Sequence, residues 1–176
     1  NQCVVYLNNE YWGIYNLREM PTSHYFESHF GFPKENIDLL EADVLGGSEL
    51  HPVADDGNID NYMNNVIAFM ENNQISLDNN YNHIKNIIDI DSFIDYIIVN
   101  TYIANRDWPH NNMKWWKDRT TDNSKWRWVM YDTDNTLKLN NLEYIWIGDL
   151  IGQQSTNEAD FYIFNKLIKN NEFKEK

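Results

Sequence analysis

The first seventeen residues carry the apolar pattern of two short strands. Residues 3–7 and 11–17 are rich in β-branched and aromatic side chains. Between them lies Asn-Asn-Glu, at residues 8–10, in which asparagine tolerates the positive φ of a tight turn. The pattern predicts an antiparallel hairpin. Gly13 inside the second strand indicates a bulge or a close backbone approach.

Turn-forming residues then separate a short helix from a long polar stretch. We predict a helix over residues 22–30, capped by Thr22 or Ser23 and ended by Gly31, followed by a short strand at residues 36–41. Residues 41–58 hold a Gly-Gly pair, a proline and an Asp-Asp-Gly sequence with few apolar side chains, which predicts a long loop.

Helical periodicity dominates the middle of the chain. Apolar residues recur at the i, i+3, i+4 and i+7 spacing over residues 59–70, the stripe of an amphipathic helix. We predict a second short helix over residues 81–88 and a third capped by Asp91. The third is apolar around most of its circumference, so we expect it to lie at the centre of the core. Its expected buried residues are Phe93, Ile94, Ile97, Ile98 and Ile103.

The last third of the chain predicts a second hairpin and a final helix. Residues 113–117 and 125–132 have strand-like composition and flank a polar segment. Five tryptophans fall in this region, and we interpret them as cross-strand packing rather than as a platform for a base or sugar. Residues 158–174 predict a helix that buries Phe161, Phe164, Leu167 and Ile168. The predicted fold is α+β, with two β-hairpins around a helical core.

Composition narrows the class of protein. Fourteen Lys and Arg against 27 Asp and Glu give a net charge of −13, which argues against general binding to nucleic acid or anionic membranes. Apolar residues make up 42% and aromatic residues 15%, enough for one sizeable core. Cys3 is the single cysteine, so no internal disulfide forms. No apolar run approaches the roughly 18–20 residues of a transmembrane segment.

The ends of the sequence predict a piece of a longer protein, incomplete on both sides. The chain starts at Asn1 inside a predicted strand, without an initiator methionine or a signal-type leader. Helical periodicity still continues near Lys176. We treat residues 1–176 as one domain, with an N-terminal hairpin part over residues 1–45 and a helical part with the candidate chemistry over residues 58–176.

The stretch after the third predicted helix contains the most informative polar residues. Asp107 and Asn112 are five positions apart, the spacing of Asp and Asn in the protein-kinase catalytic loop H-R-D-x-x-x-x-N, with Asn105 in place of the histidine. A predicted hairpin then leads to Asp132, as the kinase chain leads to its metal-binding aspartate. Hard oxygen donors such as Asn112 and Asp132 suit Mg²⁺ or Mn²⁺, and Asp107 could orient a hydroxyl proton. Loop capping by Asp107 and Asn112, and solvated carboxylates at Asp132 and Asp134, remain the structural alternatives.

At these residues the chain resembles the CotH-type protein kinases of bacterial spore coats and their relatives. The resemblance rests on EYWGIYNLRE at 10–19, NRDWPHNN at 105–112 and WRWVMYDTD at 126–134. It implies an atypical kinase-like fold that uses ATP and a divalent metal to phosphorylate Ser or Thr of a coat or surface protein. Carried over residue by residue, Asp107 is the catalytic-loop aspartate and Asp132 a metal ligand. Asn112 becomes a second metal ligand by analogy, and Asp134 an auxiliary one.

Two expected kinase features are missing from the sequence. Neither a G-x-G-x-x-G loop nor a V-A-I-K strand occurs, so the phosphate-binding lysine has no assigned counterpart. Arg18 and Glu19 are candidates for an ATP-contacting cation and its carboxylate partner, with an exposed ion pair as the simpler interpretation. The family setting suggests a spore coat, a cell surface or secretion, while the sequence itself leaves the compartment open.

Two other functions stay open as alternatives. The missing lysine is also compatible with a non-catalytic, kinase-like surface module that binds metal, nucleotide or a partner. Residues 129–137 fit the strand and D-x-D-x-T pattern of haloacid-dehalogenase-like phosphatases, in which Asp132 would be the nucleophile and Asp134 the general acid. That fold needs alternating strands and helices after the motif, whereas the following residues predict a loop and one helix.

Overall fold

The N-terminal residues form the predicted hairpin. The computed structural model of the chain describes residues 1–44, 50–108, 112–137 and 159–176. Strand β1 (Gln2–Leu7) pairs antiparallel with β2 (Glu10–Asn16). Asn8 and Asn9 make the turn with φ of 51° and 66°, and the register shifts opposite Gly13, whose φ is 134°. Hairpin and bulge are both confirmed.

The next two elements also follow the prediction. Helix α1 (Ser23–Phe30) starts after Thr22 and ends at Gly31, where a φ of 76° lets the backbone leave the helix. A 3₁₀ turn at Lys34–Asn36 leads into strand β3 (Ile37–Val44), which runs three residues beyond the predicted strand.

The second sheet corrects the predicted long loop over residues 41–58. Residues in that range form the end of β3 and strand β4 (Leu50–Asp56), which pair antiparallel. With β5 (Lys114–Asp118) and β6 (Arg127–Val129) they make an antiparallel sheet in the order β4-β3-β5-β6. Pro52 is tolerated because β4 is an edge strand, where a missing N–H leaves no ladder bond unmade.

The predicted amphipathic helix is present and carries a local widening. It comprises α2 (Asp60–Tyr62), a π-helical turn (Met63–Ile67) and α3 (Ala68–Asn72) in direct succession. Tyr62, Val66 and Met70 are fully buried. Helix α4 (Asp78–Lys85) covers only the first part of the predicted second helix. Ile88 lies beyond it and bridges to Trp126 instead.

Helix α5 (Ile90–Tyr102) differs from the prediction in its cap and its burial. Its N-cap is Asp89, whose Oδ1 accepts the Ser92 N–H at 3.2 Å, rather than Asp91. Phe93 and Ile97 are buried as expected, but Ile98 is 54% exposed. The helix therefore packs one face against the sheet and is not the centre of the core. The predicted central position was wrong because apolar residues also occur on exposed faces of helices.

The C-terminal residues form two helices where one was predicted. Helix α6 (Ala159–Leu167) and helix α7 (Asn171–Lys174) are separated at Asn170, whose buried side chain accepts the N–H groups of Glu172 and Phe173. This capping starts a new helix after Asn170. Phe164 and Leu167 are buried as predicted and Ile168 is partly buried, while the side chain of Phe161 lies outside the described residues.

The core lies between the helices and one face of the second sheet, with a smaller cluster on the other face. The smaller cluster joins α1 to β3 and β5 and includes Phe26, whose ring stacks on Trp116 at 4.3 Å between centroids. The five tryptophans of the sequence prediction are all buried, which confirms their packing role: Trp108, Trp115, Trp116, Trp126 and Trp128. Within the described ranges, no helix has the length and apolar character that crossing a membrane requires.

Candidate functional site

Two loops carry most of the predicted site residues, and backbone hydrogen bonds join them. The first loop lies between α5 and β5 and includes residues 103–108 and 112–113, and the second follows β6 and includes residues 130–137. The Leu137 N–H donates to the Ile103 carbonyl at 2.9 Å, and the Arg106 N–H donates to the Asn135 carbonyl at 3.3 Å. These backbone hydrogen bonds therefore bring residues together that are about 30 positions apart in sequence.

Asp107 is oriented from two sides by asparagine side chains. Its Oδ1 accepts a hydrogen bond from Asn135 Nδ2 at 2.7 Å, and its own N–H donates to Asn105 Oδ1 at 3.2 Å. In the described part of the chain, Oδ2 has no hydrogen-bond partner. The carboxylate is thus fixed by one oxygen and can accept a proton or a hydrogen bond with the other.

A buried amide network supports this loop from below. Asn105 donates from Nδ2 to Asn100 Oδ1 at 2.9 Å, and Asn100 donates to the Tyr96 carbonyl at 3.0 Å. Both asparagines are buried. Asn105 holds the backbone of Asp107 by accepting its N–H. The sequence analysis did not identify Asn100 and Asn135, because neither residue belongs to the spacing of Asp107, Asn112 and Asp132. The position of Asn100 on the buried stripe of α5 was the available signal.

Asn112 and Asp132 are joined across the two loops. Asn112 Nδ2 donates to the Asp132 backbone carbonyl at 3.2 Å, which leaves the amide oxygen of Asn112 to coordinate a metal or to accept a hydrogen bond. Asn112 is buried, whereas the Asp132 side chain is 45% exposed. Asp134 is exposed, and within the ranges described no hydrogen bond links its side chain to Asn112 or Asp132.

Arg18 and Glu19 do not pair with each other. Arg18 Nη1 lies 3.7 Å from Asp132 Oδ1, and Glu19 Oε1 lies 2.7 Å from His29 Nε2. Arg18 is therefore placed at the candidate metal ligand, while Glu19 ties the segment after the first hairpin to α1. Both pairs are largely exposed, so solvent screens their attraction.

Backbone conformation in these loops is unusual for the residue types present. Non-glycine residues adopt positive φ at Ala104 (48°), Asn112 (60°), Asp132 (48°) and Leu137 (51°). Alanine and leucine pay a steric penalty there of about 1 kcal/mol each. Such conformations persist only where the surrounding structure enforces them, and they concentrate at functional sites.

A buried lysine beside these loops was not singled out by the sequence analysis. Lys114 begins β5, lies 3.0 Å from Glu41, forms a second ion pair with Asp55, and faces the Tyr131 ring at 5.6 Å. Burial alone would lower the pKa of Lys114, but the hydrogen bonds to Asp55 and Glu41 outweigh it and raise the pKa. Burial, with the nearby charges of Glu41 and Asp132, raises the pKa of Tyr131 to about 12. This cluster holds Tyr131, the residue that precedes Asp132.

The donor set at the junction suits a hard divalent cation shared with a nucleotide. Across the described ranges, no group of three or more His, Cys, Asp or Glu side chains could hold a metal by itself. Mg²⁺ commonly binds to proteins through one or two carboxylates, with phosphates and waters completing its shell. Asp132 supplies such a carboxylate, and the Asn112 amide oxygen is a further hard oxygen ligand. The residues present therefore fit a metal that arrives with phosphates.

Comparison with known proteins gives one match. A family model described as CotH kinase protein matches residues 1–176, the whole chain. No curated protein and no solved structure matches it.

Proposed function

Because the chain belongs to the CotH kinase protein family, we propose that it transfers the γ-phosphoryl group of ATP, with Mg²⁺ or Mn²⁺, to a Ser or Thr hydroxyl of a protein. Family membership supports a kinase-like function, and the atypical kinase-like fold, nucleotide, metal and acceptor are our proposal. The observation that carries it is the junction of the two loops, in which Asp107 bonds to Asn135 and Asn112 bonds to Asp132.

In this proposal Asp107 acts on the acceptor hydroxyl. The hydroxyl oxygen forms a bond to the γ-phosphorus, the bond between that phosphorus and the bridging oxygen breaks, and ADP leaves. Asp107 Oδ2 accepts the hydroxyl proton, while Asn135 holds Oδ1. The amide support through Asn105 keeps the carboxylate in place before the substrate arrives, which lowers the cost of orientation.

Asp132 and Asn112 would hold the divalent cation, with Asp134 as an auxiliary ligand. When bound, the cation neutralises charge on the phosphate oxygens. Arg18, already at the Asp132 carboxylate, is the candidate cation for phosphate contact in a sequence that lacks the usual lysine. Glu19 supports Arg18 indirectly, because its bond to His29 fixes the adjoining backbone.

The acceptor in this proposal is a protein of a spore coat or cell surface. The family supports a protein substrate, and the charge of −13 favours acceptor segments that are neutral or basic. The alternative of a non-catalytic binding module differs in one respect only, since it would bind nucleotide and metal without turnover.

Calorimetric titration of ATP, with and without Mg²⁺ or Mn²⁺, tests the nucleotide site. We expect binding that depends on the metal and is lost in Asp132→Ala. Asp122→Ala is the matched control, because Asp122 is an exposed aspartate in the turn between β5 and β6. Equal metal-dependent affinity in wild type and Asp132→Ala would remove Asp132 from the site.

A phosphate-transfer assay with the full-length protein separates the kinase from the binding module. Asp107→Asn keeps an oxygen for the bond to Asn135 but cannot take up the proton. We expect it to retain metal-dependent ATP binding and to lose transfer by about 100-fold or more. Undiminished transfer in this variant would refute the role of Asp107, and binding without any transfer in the wild type would favour the binding module.

A further inference from the structure

A polar cavity lies at one end of the main sheet, β4-β3-β5-β6, away from the two loops of the candidate site. It has a volume of about 340 Å³ and is lined by Asp38, Asn58, Asn61, Lys117 and Arg119. Lys114 and Lys117 are both on β5, three residues and about 10 Å apart along the strand. Side chains an odd number of positions apart point to opposite faces of a sheet. The cavity is therefore separate from the Lys114 cluster and from the two loops of the candidate active site.

Asp38 already has its charge partners inside the protein. It is 1% exposed, its Oδ1 accepts the Asn58 N–H at 2.8 Å, and Arg119 Nη1 lies 3.3 Å away. Arg119 is held further by a hydrogen bond to the Glu35 carbonyl. Burial raises the pKa of Asp38, and the neighbouring cations oppose that shift. The Asp38–Arg119 pair is thus a complete structural unit that forms one wall of the cavity.

Lys117 is the cation on the cavity wall that has no ion-pair partner in the described ranges. It faces Asp38 across the β3–β5 pair, but no carboxylate in the described ranges is close enough for an ion pair. Its one hydrogen bond is to Asn61 Oδ1 at the long distance of 3.5 Å. Burial lowers the pKa of Lys117, and the charge of Asp38 only partly offsets this. Among the lining side chains Lys117 and Arg119 are cations and Asp38 is an anion, and the charge of Asp56 also acts on Asp38.

The two asparagines add hydrogen-bond donors to the same wall. Asn58 Oδ1 accepts the Asp60 N–H at 2.6 Å and Asn61 Oδ1 accepts from Lys117. Within the part of the chain that is described, the NH₂ groups of both side chains make no hydrogen bond. Amide NH₂ groups only donate, so a ligand that meets them must supply acceptor oxygens.

From this arrangement we infer that the Lys117 cavity binds a small phosphate-class oxyanion, with Lys117, Asn58 and Asn61 as its donors. A phosphate has more acceptor oxygens than a carboxylate, which matches three separate donors, and its negative charge would pair with the Lys117 ammonium group, which has no ion pair of its own in the described ranges. The ligand is free phosphate or a phosphate carried on a protein side chain. The inference is independent of the proposed transfer reaction.

Calorimetry with inorganic phosphate, at constant ionic strength and with a chelator present, tests the site. We expect Lys117→Met to weaken phosphate binding about tenfold or more, because the methionine keeps the apolar stem and removes the charge. Lys117→Arg is expected to retain binding. Lys174→Met, which removes an exposed lysine on α7, is the matched control and should bind like the wild type.

Amide NMR of the wild-type chain locates the bound ion. Phosphate is expected to shift the side-chain NH₂ signals of Asn58 and Asn61, and the same titration with O-phosphoserine distinguishes free from side-chain phosphate. Shifts confined to Asn112 and Asn135 would place phosphate at the candidate active site and overturn the inference. Absence of binding, or equal affinity in Lys117→Met, would do the same. If Lys117→Met does not fold, unchanged affinity in Asn61→Ala overturns it instead.

Discussion

Asn105 connects the core to Asp107, the candidate catalytic residue. Its side chain is 1% exposed and makes one bond in each direction, donating to Asn100 and accepting from the Asp107 N–H. An unsatisfied polar group in a buried position costs more than a hydrogen bond gains. Asn105 is therefore important for stability and for the orientation of Asp107.

Asn105→Ala is expected to lower the free energy of unfolding by about 1–3 kcal/mol, because it leaves Asn100 Oδ1 and the Asp107 N–H without partners. Urea denaturation monitored by tryptophan fluorescence measures the change. Asn79→Ala is the control, since Asn79 is an exposed asparagine on α4. Equal effects of the two substitutions would show that the Asn105 bonds contribute nothing to stability.

The sequence was most informative about single residues where chemistry restricts the choice. The spacing of Asp107, Asn112 and Asp132 selected three residues that the fold brings to one junction of two loops. Asn135 could not be found in this way, because its bond to Asp107 joins residues 28 positions apart and depends on the path of the chain between them.

Among the elements, the β3–β4 pair shows what local patterns do not reveal. Residues 41–58 contain glycine, proline and aspartate, which usually end strands, yet β4 forms because β3 offers it an open edge. Of the acidic residues of β4, Asp56 is exposed and Asp55 pairs with Lys114, so neither carboxylate is buried without a partner. Helix positions were easier to predict, since their apolar periodicity is set by the helix itself. The strand depends on a partner that is distant in sequence.

Gly57 allows the chain to turn closely over β3 after β4 ends. Its φ is 76°, and a Cβ there would lie 2.5 Å from the Ile37 carbonyl oxygen and 2.9 Å from Asp38 Cα. Gly31 at the end of α1 has the same φ but no heavy atom within 4 Å of such a Cβ. An alanine at Gly31 therefore adds only the free-energy cost of a left-handed backbone, whereas an alanine at Gly57 adds that cost and a steric clash.

Gly31→Ala is expected to lower the free energy of unfolding by about 1 kcal/mol, the cost of a left-handed alanine. Gly57→Ala should lower the free energy of unfolding by about 1–3 kcal/mol more than Gly31→Ala does, because backbone atoms of β3 must also move. Urea denaturation of both variants gives the comparison directly. Equal losses would mean that the turn relaxes without resistance from β3.

On the scale of the whole molecule, burial is distributed unevenly. The main sheet and the helices share the large core, whereas seven apolar side chains of the β1–β2 hairpin are between 47% and 65% exposed: Val4, Tyr6, Leu7, Tyr11, Trp12, Ile14 and Tyr15. Two exposed ion pairs, Arg18 with Asp132 and Glu19 with His29, connect the segment after the hairpin to the rest of the chain. A two-stranded hairpin with little burial is marginally stable by itself.

Hydrogen exchange followed by mass spectrometry tests this uneven stability. We expect backbone amides of β1 and β2 to exchange at least about tenfold faster than those of β3 and β5, because local opening of the hairpin exposes little additional apolar surface. Opening β3 or β5 would instead expose the fully buried Leu39, Leu40 and Trp115 and requires unfolding of the core. Equal protection of both sheets would show that the hairpin unfolds together with the body, and that contacts at Arg18 and Glu19 are strong enough to couple them. Faster exchange in the hairpin alone would mean that the segment carrying Arg18 moves independently of the body. If Arg18 contacts phosphate, bound nucleotide should then slow amide exchange in β2.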